Sequence, residues 1–351
     1  MLELFTADGA FEHLERYLDE RLGPGQVADL YLGYGLSAAM RRNVSPPPPE
    51  PCALPLLACA VRDDRPADGE PVGAFQVGDW EATWDTAHYA AAVDAVRAAI
   101  RRGDVYQVNL VQHLSAPFAG DPRSLAAALA PLRPLQPRAL GGDDWSIVSA
   151  SPELFLARRG DRLWTKPIKG TRPLGEDIDD LKDAAEHVMI VDLERNDLSR
   201  VCEPGSIRWP DLMVQHELAG VTHLVSTVEG TLRPGVALAE ILHATFPGGS
   251  ITGAPKIAAI DEIARLEPVG RGASMGALGT VRPNGDFELA LTIRTFAVAA
   301  NRVHLWAGGG IVWDSDPEQE VEESWVKARP LLAAIAHAGV GRADGARLAR
   351  A

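Results

Sequence analysis

The chain has 351 residues, 46% of them hydrophobic, enough for a large core built as one big domain or two. Its formal net charge of −14 excludes nonspecific nucleic-acid binding, which needs basic patches. The same charge leaves room for a small anionic substrate held by local cations or a metal.

Three cysteines, Cys52, Cys59 and Cys202, lack metal-ligand spacing and point to a reducing, cytoplasmic setting without disulfides. Met1-Leu2-Glu3-Leu4-Phe5 lacks the basic and apolar regions of a secretory leader, and no apolar run suffices to span a bilayer.

From the N-terminus, Ala10 to Leu22 carries Phe11, Leu14, Tyr17 and Leu18 at helical spacing. Pro46 to Pro49 with Pro51 reads as a stiff loop, and Leu54 to Val61 as a buried strand. Thr86 to Arg102 is amphipathic through Tyr89, Val93, Val96 and Ile100, and Gly103 ends it. Asp104 to Leu110 alternates as a strand, which sets Tyr106 and Val108 opposite Gln107 and Asn109.

Ser146 to Ala150 reads as a buried strand leading to Glu153. An inward Glu153 has a raised pKa, useful in a general acid; an outward one on an edge strand fits the segment equally well. In Lys166 to Pro173, Pro167 pushes Lys166 toward an extended backbone, and Gly170 lets the chain approach a ligand closely. That pattern suits a strand end carrying Lys169 into a cleft, although a surface lysine in a loop fits this segment taken alone.

Asp177 to Leu198 is an acidic helix with Asp183 and Glu186 three apart on one face. Its polar run, Asp192 to Asp197, reads as solvated. Val221 to Gly230 is a strand, and its His223 reads by default as a hydrogen-bonded core residue. Phe246 to Lys256 is a glycine-rich entry to a helix that ends at Leu266, before Pro268. Such an entry can bind anions, but it has neither Walker nor Rossmann spacing.

Leu289 to Phe296 reads as a strand carrying Arg294, whose guanidinium is expected to meet a carboxylate. Strands Val303 to Trp306 and Ile311 to Trp313 flank Gly308, Gly309 and Gly310, where bare backbone can lie against a ligand. The last helix starts near Pro317 with Ser315 or Asp316 as cap, and sets Glu320 and Glu323 three apart. Residues after Gly339 read as a frayed tail.

Two helices thus each offer a carboxylate pair. Oxygen ligands without clustered His or Cys suit Mg2+ better than zinc, and Mg2+ completes its shell with water and substrate oxygens. These features together predict a protein that holds a small polyanion through a metal.

The stretches GDVYQVNL, ASPELF, PIKGTRP, DAAEHVMIVDLERNDL, HLVSTVEGTL, FPGGSITGAPK, ALTIRTF and AGGGIVWDSDPEQEVEESWVKA follow one another over about residues 85 to 335. In them the chain resembles the chorismate-utilising enzymes: anthranilate synthase large subunit, aminodeoxychorismate synthase component I, isochorismate synthase and salicylate synthase. The resemblance implies an α+β fold, a large sandwich of antiparallel sheets flanked by helices. It implies a catalytic domain over 85–338, a reduced N-terminal region over 1–84 packed on it, and a flexible tail over 339–351.

The resemblance further implies Glu186 and Glu323 as Mg2+ ligands, with Asp183 and Glu320 behind them. Gly170, Thr171 and the backbone of Gly308, Gly309 and Gly310 would contact chorismate. Arg294 would grip the enolpyruvyl carboxylate, Lys327 would lie beside the ligand, and His223 near the ring hydroxyl. Ser274 stands where the family commonly has a tyrosine beside that carboxylate.

Gln107 stands where water-adding members carry a lysine, so ammonia is the expected nucleophile. Pro-Ile-Lys-Gly-Thr around Lys169 is similar to aminodeoxychorismate synthases; anthranilate synthases typically have Ala there. The expected reaction is amination at C4 through a covalent adduct of Lys169 at C2, with Glu153 protonating the departing hydroxyl. Lys169 is expected to react as the free amine.

The sequence lacks a Gly-x-Cys-x-Gly turn, an appended lyase and a tryptophan-binding Leu-Leu-Glu-Ser stretch. A separate glutamine amidotransferase subunit, a separate aminodeoxychorismate lyase and the folate route are therefore expected. The runner-up is an anthranilate synthase-like or secondary-metabolite aminating enzyme. A scaffold subunit without activity is the non-enzyme alternative.

Overall fold

The apolar runs of the sequence pair almost wholly as antiparallel strands, and amphipathic helices cover them. The structure, a computed structural model, describes residues 1–43, 45–65, 73–173, 181–218 and 221–338, with the side chains of 171–185, 217–221 and 337–338 left aside.

The first part of the chain forms β1 (Leu2–Leu4), α1 (Ala10–Arg21), β2 (Gln26–Leu32), β3 (Leu57–Asp63), β4 (Phe75–Val77), β5 (Glu81–Ala82), α2 (Thr86–Arg102) and β6 (Gln107–Gly120). Next come α3 (Arg123–Leu129), β7 (Leu140–Gly141), β8 (Trp145–Ser149), β9 (Leu154–Arg159), β10 (Arg162–Lys166), β11 (Ile168–Pro173), α4 (Leu181–Ser199), β12 (Arg208–Leu218) and β13 (Val221–Thr231). The chain closes with α5 (Leu238–Thr245), β14 (Gly253–Ala254), α6 (Lys256–Leu266), β15 (Ala277–Val281), β16 (Phe287–Leu291), β17 (Thr295–Ala299), β18 (Arg302–Ile311) and α7 (Pro317–Ala338).

Among the described residues these strands make two sheets. A ten-stranded sheet runs β1-β3-β2-β15-β16-β9-β10-β13-β11, with β12 on β13; an eight-stranded sheet runs β14-β6-β18-β17-β8-β7, with β4 and β5 on β6. One apolar core serves both: Leu30 and Leu32 of β2 share it with Val108 and Val111 of β6. The outer face of the eight-stranded sheet is sealed separately, where Leu125, Leu129, Leu331 and Ile335 of α3 and α7 cover Leu114, Phe296 and Leu305.

Several sequence expectations need correction here. Strand β6 does not alternate between core and solvent: Gln107 to Leu114 are all buried, because a central strand is covered on both faces. The three glycines do not separate two strands. They lie inside β18, where Gly308 pairs with Val111 and Gly310 with Asn109. A Cβ at Gly308 would fall 1.8 Å from the Leu110 carbonyl oxygen, so the close approach of β6 requires glycine there.

Arg294 lies on no strand but between β16 and β17, at φ 50°. The glycine-rich segment before α6 is no open anion cradle either. Residues 248–254 are buried, and the Gly249 N–H donates to Glu194 Oε1 at 3.1 Å. In the run read as solvated, Glu194 and Asp197 point inward. The cap of α7 is Asp316, whose Oδ1 accepts from the N–H groups of Glu318 (3.1 Å) and Gln319 (3.0 Å).

Two of the places where the chain passes from one sheet to the other are neighbours. One crossing links β8 to β9, the other β16 to β17. They are tied by Ala150 N–H to the Arg294 carbonyl (2.9 Å) and Leu291 N–H to the Glu153 carbonyl (3.0 Å). The crossings therefore bring Glu153 and Arg294, far apart in sequence, to one place.

Beneath them, Arg271 is fully buried and pairs with Glu267 through two bonds of 2.7 and 2.9 Å. It also donates to the carbonyls of Ile251 (2.9 Å) and Asn109 (2.7 Å). Arg271→Ala would leave Glu267 an uncompensated buried charge and is expected to cost about 3–5 kcal/mol. Urea unfolding checks this; the double variant Arg271→Met with Glu267→Leu should lose much less.

Candidate active site

Glu153 is buried at the β8–β9 crossing. Burial raises its pKa, while the charges of Lys169 and Arg294 and a hydrogen bond from Ser250 pull it back down. Ser250 Oγ donates to Glu153 Oε1 at 3.0 Å. The inward alternative is the one realised for this carboxyl, because its segment runs between two packed sheets.

Lys169 lies on β11 opposite Leu224, half-buried. The ladder slips immediately after it, at Gly170, which adopts φ 62°. This bulge needs a left-handed residue, and glycine takes that conformation without strain. The Gly170 carbonyl faces the His223 ring, 3.1 Å from Nδ1. Burial holds His223 neutral by lowering its pKa. The backbone of Thr171 pairs with His223; its side chain lies outside the described residues, as does that of Asp183.

His187 is a neighbour the sequence did not announce. It is fully buried on α4, its Nε2 lies 2.6 Å from Ser226 Oγ, and its Nδ1 has no partner among the described residues. Burial and then the charge of Lys169 push its pKa down to about 4. His187 adjoins Glu186 in sequence, and its place on the buried face of α4 was the available signal. Arg294 is half-buried; desolvation lowers its pKa and Glu153 raises it. Its left-handed backbone is a strained setting for an arginine.

A second group gathers over the glycine run. A Cβ at Gly309 would stand 3.2 Å from Glu323 Oε1, 3.3 Å from Lys327 Nζ and 3.5 Å from Glu320 Oε2. The bare strand thus clears room for three charged side chains of α7. Lys327 Nζ donates to the Gly308 carbonyl at 2.9 Å and pairs with Glu323 at 2.7 Å. Glu320 is buried and accepts from Ser315 Oγ at 2.6 Å, whereas Glu323 is exposed.

Among the described residues no three His, Cys, Asp or Glu side chains cluster as a ready-made metal cage. Glu323 is exposed and Glu186 of α4 is half-buried; carboxylate oxygens are the ligand type that Mg2+ takes.

On the other side of the glycine run, the Gln107 carboxamide occupies the space a Cβ at Gly310 would need, 2.2 Å from Nε2. Gln107 and Ser274 are fully buried, and neither side chain has a hydrogen-bond partner among the described residues. Also among those residues, no helix is long and apolar enough to cross a membrane.

A family model described as chorismate binding enzyme matches residues 49–333. Anthranilate synthase component 1 1 of Haloarcula marismortui is 40% identical over 306 residues, covering 83% of this chain and 62% of that one. Aminodeoxychorismate synthase component 1 of Bacillus subtilis is 37% identical over 270 residues, covering 74% and 57%. The crystal structure of anthranilate synthase component I from Streptococcus pneumoniae superposes with a TM-score of 0.77 at 28% identity, covering 89% of this chain and 81% of that one. The chain spans about three fifths of the length of the curated relatives it matches.

Behind Glu153, burial and then the charge of Asp197 raise the pKa of Glu194 well above the carboxylate range. The folded state therefore holds this proton more tightly than the unfolded chain. Stability is full at acid pH and falls as pH rises above the unfolded value. Glu194→Gln keeps an acceptor for Gly249 and removes the titration. Its unfolding midpoint is expected to gain on wild type steadily between about pH 5 and 8 in thermal melts.

Proposed function

The chain belongs to the chorismate-binding enzyme family, and we propose that within it this protein aminates chorismate at C4 to give aminodeoxychorismate. The observation that carries this reading is Lys169, an amine delivered by the Gly170 bulge into the field of the buried acid Glu153.

In this reaction the Lys169 amine attacks C2 of the ring. The two ring double bonds shift, and the C4 hydroxyl leaves as water with the proton of Glu153. The proton shed by the lysine nitrogen restores Glu153. Ammonia then adds at C4, the double bonds shift back, and Lys169 departs from C2, taking up a proton as ammonia's nitrogen loses one. The sum is chorismate and ammonia to aminodeoxychorismate and water.

Arg294 binds the enolpyruvyl carboxylate, and Lys327 with the backbone of Gly308 to Gly310 lines the other side. Gly170 and Thr171 contact the ligand, and neutral His223 serves the ring hydroxyl. Glu186 and Glu323 would hold Mg2+, with Asp183 and Glu320 supporting them. Bound there, Mg2+ would supply positive charge to a substrate carboxylate.

The relatives are named as component 1 of their enzymes, which supports a separate glutamine amidotransferase subunit as ammonia donor. Aminodeoxychorismate lyase, also separate, would complete the route toward folate. Anthranilate synthesis is the second reading, favoured by the names of relatives at 40% and 43% identity.

The test is product analysis of the full chain with chorismate, Mg2+ and ammonium. Aminodeoxychorismate is the expected product, and Lys169→Ala should abolish it, while Glu153→Gln should slow it on the order of 10²–10⁴-fold. Anthranilate as the sole product would sink the C4 reading.

A further inference from the structure

The buried turn over residues 248–252 brings Ser250 against Glu153. Its hydroxyl donates to Oε1, and the Ile168 N–H approaches the same oxygen at 3.5 Å. Two donors pointed at Oε1 make it the favoured accepting oxygen, which leaves Oε2 as the better place for the acidic hydrogen.

The turn itself is held on three sides. Gly249 N–H bonds Glu194, Thr252 Oγ1 bonds the Gly248 carbonyl at 2.9 Å, and Arg271 bonds the Ile251 carbonyl at 2.9 Å. It seats directly on α4, since a Cβ at Gly249 would fall 2.6 Å from Leu193 Cδ2 and 3.1 Å from Glu194 Oε1.

We propose that Ser250 is a positioning residue for the amination: it assigns the transferable proton of Glu153 to Oε2 and fixes that carboxyl in one orientation, while Glu194 anchors the turn that carries it. The proposal rests on Glu153 being the general acid. A carboxyl free to hold its proton on either oxygen would spend part of each turnover unable to donate to the leaving hydroxyl. The other charged groups facing Glu153 are Lys169 from β11, Arg294 from the β16–β17 crossing and Glu194 from α4.

The experiment uses the full chain with chorismate, Mg2+ and ammonium across pH, in Ser250→Ala, Ser250→Thr and Glu153→Gln. Glu153 must be protonated to act, so the rate falls as pH rises through its pKa. Removing a donor to the carboxylate raises that pKa. Ser250→Ala is therefore expected to lower kcat about tenfold or more, to leave the KM for chorismate within about twofold, and to move the alkaline limb of the kcat profile to higher pH. Ser250→Thr, which keeps the donor, should restore both rate and profile.

Wild-type kcat and an unmoved alkaline limb in Ser250→Ala, with Glu153→Gln inactive, would overturn the positioning role and leave Glu153 as the acid. A Glu153→Gln enzyme that still aminates would overturn both. Should the alanine variant be unstable, Ser250→Cys, with the same shape and a much weaker donor, must give the same split between kcat and KM.

Discussion

The buried pair of Arg271 and Glu267 is the contact on which the interior depends. Its guanidinium stacks 4.5 Å from the Tyr34 ring centre and bonds β6, the turn before β14 and the residue just past α6 at once. Glu267 in turn accepts from the Val111 N–H at 3.1 Å. An ion pair this deep gains little net stability against apolar replacements of the same volume. What it does provide is register. It fixes the edge of β6 and the turn of Ser250 against each other, and that turn is what touches Glu153.

The site then follows from placing charges at sheet crossings. A carboxyl between two packed sheets loses its water and tends to stay protonated. Lys169 and Arg294 oppose that tendency, but burial outweighs them and the pKa of Glu153 stays raised. Behind it, Asp197 is paired with the buried Lys256, and burial and the charge of Asp197 outweigh the pull of that lysine on Glu194 and raise its pKa. The strong negative charge of the whole chain has little bearing on this, because the groups that matter are buried within a few ångströms of one another.

The glycine run does different work on its alternate positions. Gly308 lets β6 come close, Gly309 clears space for Glu323 and Lys327, and Gly310 admits the Gln107 carboxamide. A strand shows successive residues to opposite faces, so three adjacent glycines serve two faces of one sheet.

Local pattern determined a good part of this protein. The helices at residues 86–102 and 256–266, the strand of His223, the placing of Glu320 and Glu323 on one helix face, and Gly103 and Ser315 or Asp316 as helix ends follow from spacing and capping chemistry that a short segment carries by itself. Motif order was enough to identify the family. Tertiary structure alone decided that Glu153 faces inward, that Arg294 sits on a crossing instead of a strand, that Glu194 and Asp197 are buried, and that the glycine-rich turn spends its Gly249 N–H on a carboxyl. His187 beside Lys169 and Ser250 on Glu153 belong to the same class. The physical reason is common to all of them. Burial and hydrogen-bond partners depend on which distant segment covers a residue, and the Ser250–Glu153 contact spans 97 positions of sequence, far beyond the reach of any periodicity.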